Sequence, residues 1–213
     1  PVYRGCKKPL RRKLVTAEHV HGKTGLDGTD LILKNKRVEK SEASDFIIKT
    51  LLENDRRKIT LCALGPLTNI ATAFLRKPEI VDFLEEIVLM GGGFFEGGNI
   101  TPAAEFNIYV DPEAAKIVLN SGVKITMLPL DVTHQTLVDR RFLSKLISSD
   151  KNSAMQAAKL LDFFERYDIQ KYGSKGGPLH DPNVIVYLLE PEIYQGKLVN
   201  VEVEVKSDLT RGM

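Results

Sequence analysis

The chain has 213 residues, of which 43% are hydrophobic and 27% charged, a composition typical of a globular domain with one sizeable core. Its net charge is only +2, and its basic residues are scattered, which argues against a nucleic-acid-binding surface. No apolar run reaches the roughly 18 residues that a membrane span needs, and the two cysteines are too few for a disulfide framework. We therefore expect a cytoplasmic protein with no nucleic-acid or membrane partner, forming a single domain over residues 1–213.

Three short apolar runs rich in β-formers predict strands of one sheet. The first, at 58–64, is followed by Gly65 and Pro66 and then by a helical pattern. The second, at 86–90, runs into three glycines, and the third, at 124–130, follows a helix opened by Asp111-Pro112. Strands that alternate with helices and are apolar without interruption are typical of parallel sheets covered on both faces. The predicted class is α/β, an open, mostly parallel sheet with helices on both faces and a Rossmann-like core.

The last third of the sequence predicts mostly helices. Two are expected at 139–149 and 152–167, and a shorter one begins after Asp181 and ends near Pro191. The final segment, LVNVEVEV at 198–205, alternates apolar and polar residues and therefore predicts a half-exposed strand.

Polar side chains follow the second predicted strand. In open parallel sheets, ligands bind beyond the carboxyl ends of the strands. The glycine-rich segment 91–98 contains neither a dinucleotide-binding G-x-G-x-x-G nor a P-loop motif, which disfavours phosphate binding. The side chains that follow, Asn99, Glu105 and Asn107, are suited to hydrogen-bonding the hydroxyls of a sugar. The alternative is that they only cap turns and helices, which their spacing allows.

His180 and Asp181 form a second candidate group in a loop that contains glycine and proline. Asp181 could simply cap the helix that follows. It could instead bind a hard metal ion, because calcium prefers carboxylate and carbonyl oxygens, with His180 as a proton donor beside it. His21 lies in another glycine-containing loop, VHGKTGLDG, where a single histidine is more often structural or solvated than catalytic.

Taken together, these segments resemble the inosine-uridine-preferring nucleoside hydrolase family. The blocks that carry the resemblance are PVYRGCKKPL, VHGKTGLDG, ALGPLTNIA, IVLMGGGFFEGGNITPAAEFNIYVDPEAA, ITMLPLDVT, HDPNVIVY and TRG. Several ordered blocks over the whole chain are specific, whereas any one of them alone is not. The resemblance implies hydrolysis of the N-glycosidic bond of ribonucleosides to ribose and a free nucleobase.

The resemblance also implies a mechanism and a cofactor, calcium, which would bind a water and the ribose diol while that water attacks the anomeric carbon. By position, His180 matches the family's candidate general acid and His21 a histidine near the base, so both are expected to be catalytic. Asp181 matches a calcium ligand that also contacts ribose. The backbone carbonyl of Leu64 matches a further calcium ligand.

The resemblance further implies that Asn99, Glu105 and Asn107 hold the ribose hydroxyls and that Met90 lines the same pocket. Tyr172 is a candidate contact to the base, although an exposed helix end explains it equally well. The histidine at 180 and the absence of tryptophan favour pyrimidine or inosine/uridine-type substrates. Because relatives form dimers or tetramers, we expect a homodimer or homotetramer that binds a small-molecule ribonucleoside.

One family feature is missing from the sequence. Family members begin with an aspartate-rich motif, D-x-D-x-x-x-D-D, which is absent here, so the chain resembles a family domain truncated at both ends. A chain with only these residues is expected to bind calcium weakly and to be inactive. The missing aspartates also leave open a catalytically inactive nucleoside- or ribose-binding family member. A phosphorylase is disfavoured, because the pocket segments offer no phosphate ligands.

Overall fold

The computed structural model describes residues 1–29, 31, 37–173 and 176–213, with the side chains of 167–172 also left out. Two compact units are present, and each is described by itself. Unit 1 comprises Pro1–Leu14, Arg37–Val132 and His180–Met213, and unit 2 comprises Val15–Lys36 and Thr133–Leu179. The expected single domain over 1–213 stays a prediction.

The strands are β1 (Val2–Arg4), β2 (Val38–Glu42), β3 (Ile59–Ala63), β4 (Leu84–Met90), β5 (Ile125–Leu128), β6 (Leu137–Val138) and β7 (Gly177–Pro178). The α-helices are α1 (Glu18–His21), α2 (Ala43–Leu52), α3 (Thr68–Arg76), α4 (Phe106–Val110), α5 (Pro112–Leu119), α6 (Leu130–Thr133), α7 (Arg140–Ile147), α8 (Asn152–Tyr172) and α9 (Pro182–Leu189). Short 3-10 helices cover Pro78–Phe83 and Pro191–Ile193.

The sheet that positions the candidate site is formed by β3, β4 and β5, in that order and all parallel. Ala63 pairs with Leu89, and Met90 pairs with Leu128. The three strands therefore end at the same level, so the segments that follow them begin at one edge of the sheet. The predicted α/β class with an open, mostly parallel sheet is confirmed.

The second half of strand β4, residues 87–90, is entirely apolar because both of its faces are buried there. Alternate residues of a strand point to opposite faces. Ile87 and Leu89 pack into a cluster with residues of α3 and α5, whereas Val88 and Met90 pack with Val184 of α9. This double burial explains why the apolar run does not alternate with polar residues.

The helices that the structure describes include none with the length and apolar character of a membrane span.

The predicted strand at 198–205 is wrong, since no strand is assigned there in the described part of the chain. Its alternation has another cause: Val203 is buried and Val205 partly buried against the main core cluster. The backbone of this segment pairs locally, because Glu204 donates to the Met213 carbonyl and accepts from the Gly212 N–H, both at 2.9 Å. The predicted helices at 139–149 and after Asp181 are confirmed, and the one predicted at 152–167 extends to Tyr172.

A buried carboxylate ties three parts of unit 1 together. Asp111 is fully buried, and its Oδ2 accepts hydrogen bonds from the Leu10 N–H at 2.8 Å and the Thr68 hydroxyl at 2.7 Å. Its Oδ1 accepts from the Ala114 N–H at 3.1 Å, which caps α5. Every oxygen of this buried charge is therefore satisfied, as an interior carboxylate requires.

We predict that Asp111→Ala lowers the free energy of unfolding of the complete protein by about 3 kcal/mol, because two buried donors and one partly buried donor lose a charged acceptor. The control is Asp139→Ala, which removes one exposed cap bond to the Phe142 N–H and should cost about 1 kcal/mol. Urea denaturation measures both variants. Equal losses would contradict a special role for the buried carboxylate.

Candidate functional site

Packing of α9 brings His180 and Asp181 to the carboxyl edge of the sheet. Val184, in the first turn of α9, is fully buried in a cluster with Met90 and Leu128, the last residues of β4 and β5. Further along α9, the Tyr187 hydroxyl accepts a hydrogen bond from the Thr126 hydroxyl of β5 at 3.4 Å. The helix therefore runs back along β5, and its first residues lie where the strands end.

The carboxylate of Asp181 does not cap the helix that it precedes. Its backbone is already helical, with φ −61° and ψ −38°, and its side chain makes no capping hydrogen bond. The side chain is partly buried, and this burial raises the pKa of Asp181 to about 6. The interpretation of Asp181 as a plain N-cap is therefore wrong, and its carboxylate remains available to a ligand.

Glu105 lies on the same side of the sheet and is 2% exposed. Its Oε1 accepts from the Asn107 N–H at 2.9 Å, and its Oε2 accepts from the N–H groups of Gly92 at 3.1 Å and Ile108 at 3.2 Å. Burial raises the pKa of Glu105 to about 6, opposed by these donors and assisted by the negative charge of Asp181. The Asp181 carboxylate, from a separate element, is therefore near enough for its charge to act on Glu105.

The other predicted ribose-binding residues surround Glu105. The Asn99 Oδ1 accepts from the Phe106 N–H at the start of α4, at 2.8 Å. The Asn107 Nδ2 donates to the Met90 carbonyl at 3.1 Å and lies 3.5 Å from the Met90 Sδ. Asn99 and Glu105 therefore make capping contacts. Contact with ribose stays a prediction for Met90, Asn99, Glu105 and Asn107. Met90 itself is 4% exposed, so its side chain serves mainly as the floor of this region.

Two glycines allow the chain to fold back between β4 and α4. Gly92 has φ +75°, a conformation that side chains with a Cβ rarely adopt. A Cβ at Gly98 would lie 2.1 Å from the Ala104 carbonyl oxygen and 2.2 Å from that of Thr101. The glycine-rich sequence thus serves close backbone packing, which places Asn99 beside the start of α4.

The remaining predicted residues are placed as follows. His180 is partly buried and directly precedes Asp181 in unit 1, and Leu64, directly after β3, is 43% exposed. His21 belongs to unit 2, where its ring stacks on Phe164 with centroids 5.6 Å apart, and burial followed by the charge of His19 lowers its pKa. The side chain of Tyr172 lies outside the described residues.

The oxygen donors at the edge suit part of a calcium site. Within residues 1–29, 31, 37–173 and 176–213, no group of three or more His, Cys, Asp or Glu side chains could hold a metal ion. The Asp181 carboxylate and the Leu64 carbonyl are hard oxygen donors, but calcium takes about six to eight of them. These two groups fit calcium chemically but would supply only a minority of its ligands.

Sequence reasoning assigned no role to Asp131, which the structure places at this edge. Its Oδ2 accepts from the Phe94 N–H at 2.7 Å, and its Oδ1 accepts from the N–H groups of Phe95 at 2.7 Å and Glu96 at 3.3 Å. Burial acts to raise the pKa of Asp131, but the backbone donors outweigh it and lower the pKa. The signal in the sequence was an acidic residue directly after the predicted strand at 124–130.

The fold and this group of carboxylates and amides define an α/β protein with a candidate site for a polyhydroxylated ligand at the strand ends. All 213 residues match the sequence model described as inosine-uridine preferring nucleoside hydrolase, and the chain belongs to this family. The resemblance inferred from the sequence is confirmed.

Individual relatives agree with this assignment. The chain is 48% identical over 213 residues to an uncharacterized protein of Schizosaccharomyces pombe, covering 100% of this chain and 69% of the relative. It is 40% identical over 207 residues to the pyrimidine-specific ribonucleoside hydrolase RihB of Escherichia coli, covering 97% and 66%. The solved structure of the plant nucleoside hydrolase PpNRh1 matches with a TM-score of 0.94 at 33% identity, covering 100% and 67%. The chain thus spans about two thirds of the length of these relatives.

The raised pKa of Glu105 predicts a pH dependence of stability. Because the folded pKa of about 6 lies above the ordinary 4.5, the protonated form favours folding. This contribution is fully present below pH 4.5 and is lost as the pH rises through 6, a loss of about 2 kcal/mol. We predict that Glu105→Gln removes this part of the pH dependence in chelator-treated protein.

Urea denaturation at pH 4.5, 6 and 7.5 measures how the free energy of unfolding changes with pH. This slope can be compared between variants of different absolute stability. Glu39→Gln, on the exposed strand β2, is the matched control and should follow the parent protein. An unchanged slope in Glu105→Gln would show that Glu105 does not carry this dependence.

Proposed function

We propose that the protein hydrolyses the N-glycosidic bond of ribonucleosides, releasing ribose and a free nucleobase. Pyrimidine nucleosides and inosine or uridine are the proposed substrates, supported by the name of the family and by the pyrimidine-specific relative RihB. The observation that carries the proposal is the uncapped carboxylate of Asp181, whose charge acts on Glu105.

Asn99, Glu105 and Asn107 are proposed to hold the ribose hydroxyls. A carboxylate accepts hydrogen bonds and an amide both donates and accepts, which suits hydroxyl groups of a sugar. Glu105 and Asn107 are fixed by their bonds to the backbone, so little side-chain freedom is lost when a sugar binds. Such fixed polar groups orient the ribose relative to Asp181.

His180 is proposed to donate a proton to the departing base. Departure of the base from an oxocarbenium-like ribosyl group leaves negative charge on a ring nitrogen, which a general acid neutralises. His180 directly precedes Asp181, so a sugar held by Asp181 places its base within reach of this loop. His21 is the second candidate donor, because burial lowers its pKa and favours the neutral ring.

Calcium is the proposed cofactor, held in part by the Asp181 carboxylate and the Leu64 carbonyl, with further ligands from water and from other residues. When bound, the ion lowers the pKa of a coordinated water and orients it. The Asp181 carboxylate makes no capping bond to α9 and contributes its negative charge to the site. Glu105 and Asn107 keep the ribose diol oriented. A homodimer or homotetramer in the cytoplasm remains part of the proposal.

The alternative is a catalytically inactive nucleoside- or ribose-binding family member. The amides and carboxylates that follow β4 are compatible with this alternative as well. Such a protein would bind ribose through the same amides and carboxylates without breaking the glycosidic bond. Turnover therefore distinguishes the two functions, whereas binding alone does not.

We predict that the complete protein releases uracil from uridine and hypoxanthine from inosine, and that a calcium-selective chelator lowers the rate by at least about 100-fold because the water loses its activation. Chromatography of the free base measures both rates. Asp181→Asn should reproduce the loss, whereas Asp139→Asn, at the exposed cap of α7, should not. Absence of base release with calcium present would leave only the binding function.

We predict that His180→Ala slows uridine hydrolysis by roughly 100-fold or more, the usual contribution of a general acid. An activated aryl riboside needs no protonation of its leaving group, so its hydrolysis should slow much less. Steady-state rates on the two substrates test this difference. Equal losses would remove His180 from the role of acid.

A further inference from the structure

The loop between β4 and Asn99 holds two large apolar side chains in solvent. Phe94 is 66% and Phe95 88% exposed, and their rings meet edge to face with centroids 4.6 Å apart. A phenylalanine side chain stabilises the segment that carries it when its apolar surface is buried. Burial can hold this tip only weakly, because most of both phenylalanine side chains is exposed.

Asp131 supplies the attachment instead. Its two carboxylate oxygens accept hydrogen bonds from three consecutive backbone N–H groups, those of Phe94, Phe95 and Glu96. Bonds to a charged acceptor are stronger than neutral ones. One side chain in α6, the short helix that follows β5, therefore fixes the tip of a loop that leaves the neighbouring strand β4.

The tip is connected tightly to the candidate ribose-binding residues on both sides. Before it, the Gly92 carbonyl accepts from the Leu130 N–H at 2.9 Å, and the Gly92 N–H donates to Glu105 at 3.1 Å. After it, Gly97 passes so close to Gly93 that a Cβ on Gly93 would lie 2.1 Å from the Gly97 carbonyl oxygen. A displacement of the tip is therefore transmitted to Glu105 and to the chain leading to Asn99.

We propose that Asp131 is a positioning residue for ribose binding: by holding the N–H groups of Phe94, Phe95 and Glu96, it fixes the loop that places Asn99 and Glu105. The inference rests on the proposed function, since it assigns ribose to that site. Asp131 acts through the loop and needs no contact with the substrate.

Two variants of the complete protein test this role. Asp131→Ala removes all three acceptor contacts, whereas Asp131→Asn keeps an oxygen for Phe95 and Glu96 and loses the acceptor for Phe94. We expect KM for uridine to rise about tenfold in the alanine variant, and less in the asparagine variant, with kcat within about twofold of the parent. Amide exchange of residues 94–96 should accelerate in the same order.

The matched control is Glu204→Ala, which removes a carboxylate oxygen that accepts from the backbone N–H groups of Lys206 and Ser207. It should lower the thermal midpoint without raising KM. If Asp131→Ala lowers the midpoint and leaves KM unchanged, as the control does, the residue is only structural and the proposal is overturned.

Failure of the proposed function gives a different result. The parent protein would then release no base, and KM could not be measured. The affinity of the parent and of the variant for free ribose, measured by calorimetry, is compared instead. Weaker ribose binding together with faster exchange at 94–96 in Asp131→Ala would still support the positioning role. Unchanged exchange, or unchanged ribose affinity, would overturn it even in an inactive protein.

Discussion

The candidate site depends on the buried carboxylate of Glu105. It accepts hydrogen bonds from backbone N–H groups at both ends of the glycine-rich loop between β4 and α4. The donors are Gly92 after β4, and Asn107 and Ile108 in α4. A buried N–H without an acceptor lowers the stability of the fold. These three bonds therefore fix the positions at which the loop leaves β4 and enters α4. The contact between Asn107 and Met90 exists because this closure brings α4 onto the end of β4.

Three carboxylates at the same edge serve different purposes because their surroundings differ. Glu105 is buried and satisfied by backbone donors, and Asp131 is partly exposed and holds a loop tip by the same kind of bond. Asp181 is partly buried and makes no capping bond. Glu105 and Asp131 therefore hold the backbone in place, whereas the Asp181 carboxylate makes no bond to the helix that it precedes.

The sequence predicted the central sheet well because the physical signal is local and strong. Strand β4 is buried on both faces, so its run of apolar residues is uninterrupted and its parallel neighbours could be inferred. The segment 198–205 shows the limit of the same reasoning. Its alternation reflects Val203 and Val205 facing the core, but a strand also requires a partner along its backbone, which a pattern of side chains does not supply.

The sequence by itself determined the α/β class, the family and the residues that gather at the strand ends. Only the tertiary structure decided which hydrogen bonds their side chains make, as two identical dipeptides show. Asp111-Pro112 and Asp181-Pro182 both open helices, yet Asp111 caps α5 with φ −140° and Asp181 makes no cap with φ −61°. The buried Asp111 also accepts from Leu10 and Thr68, which are distant in the sequence. A local motif cannot reveal such partners, because folding alone brings them within hydrogen-bonding distance.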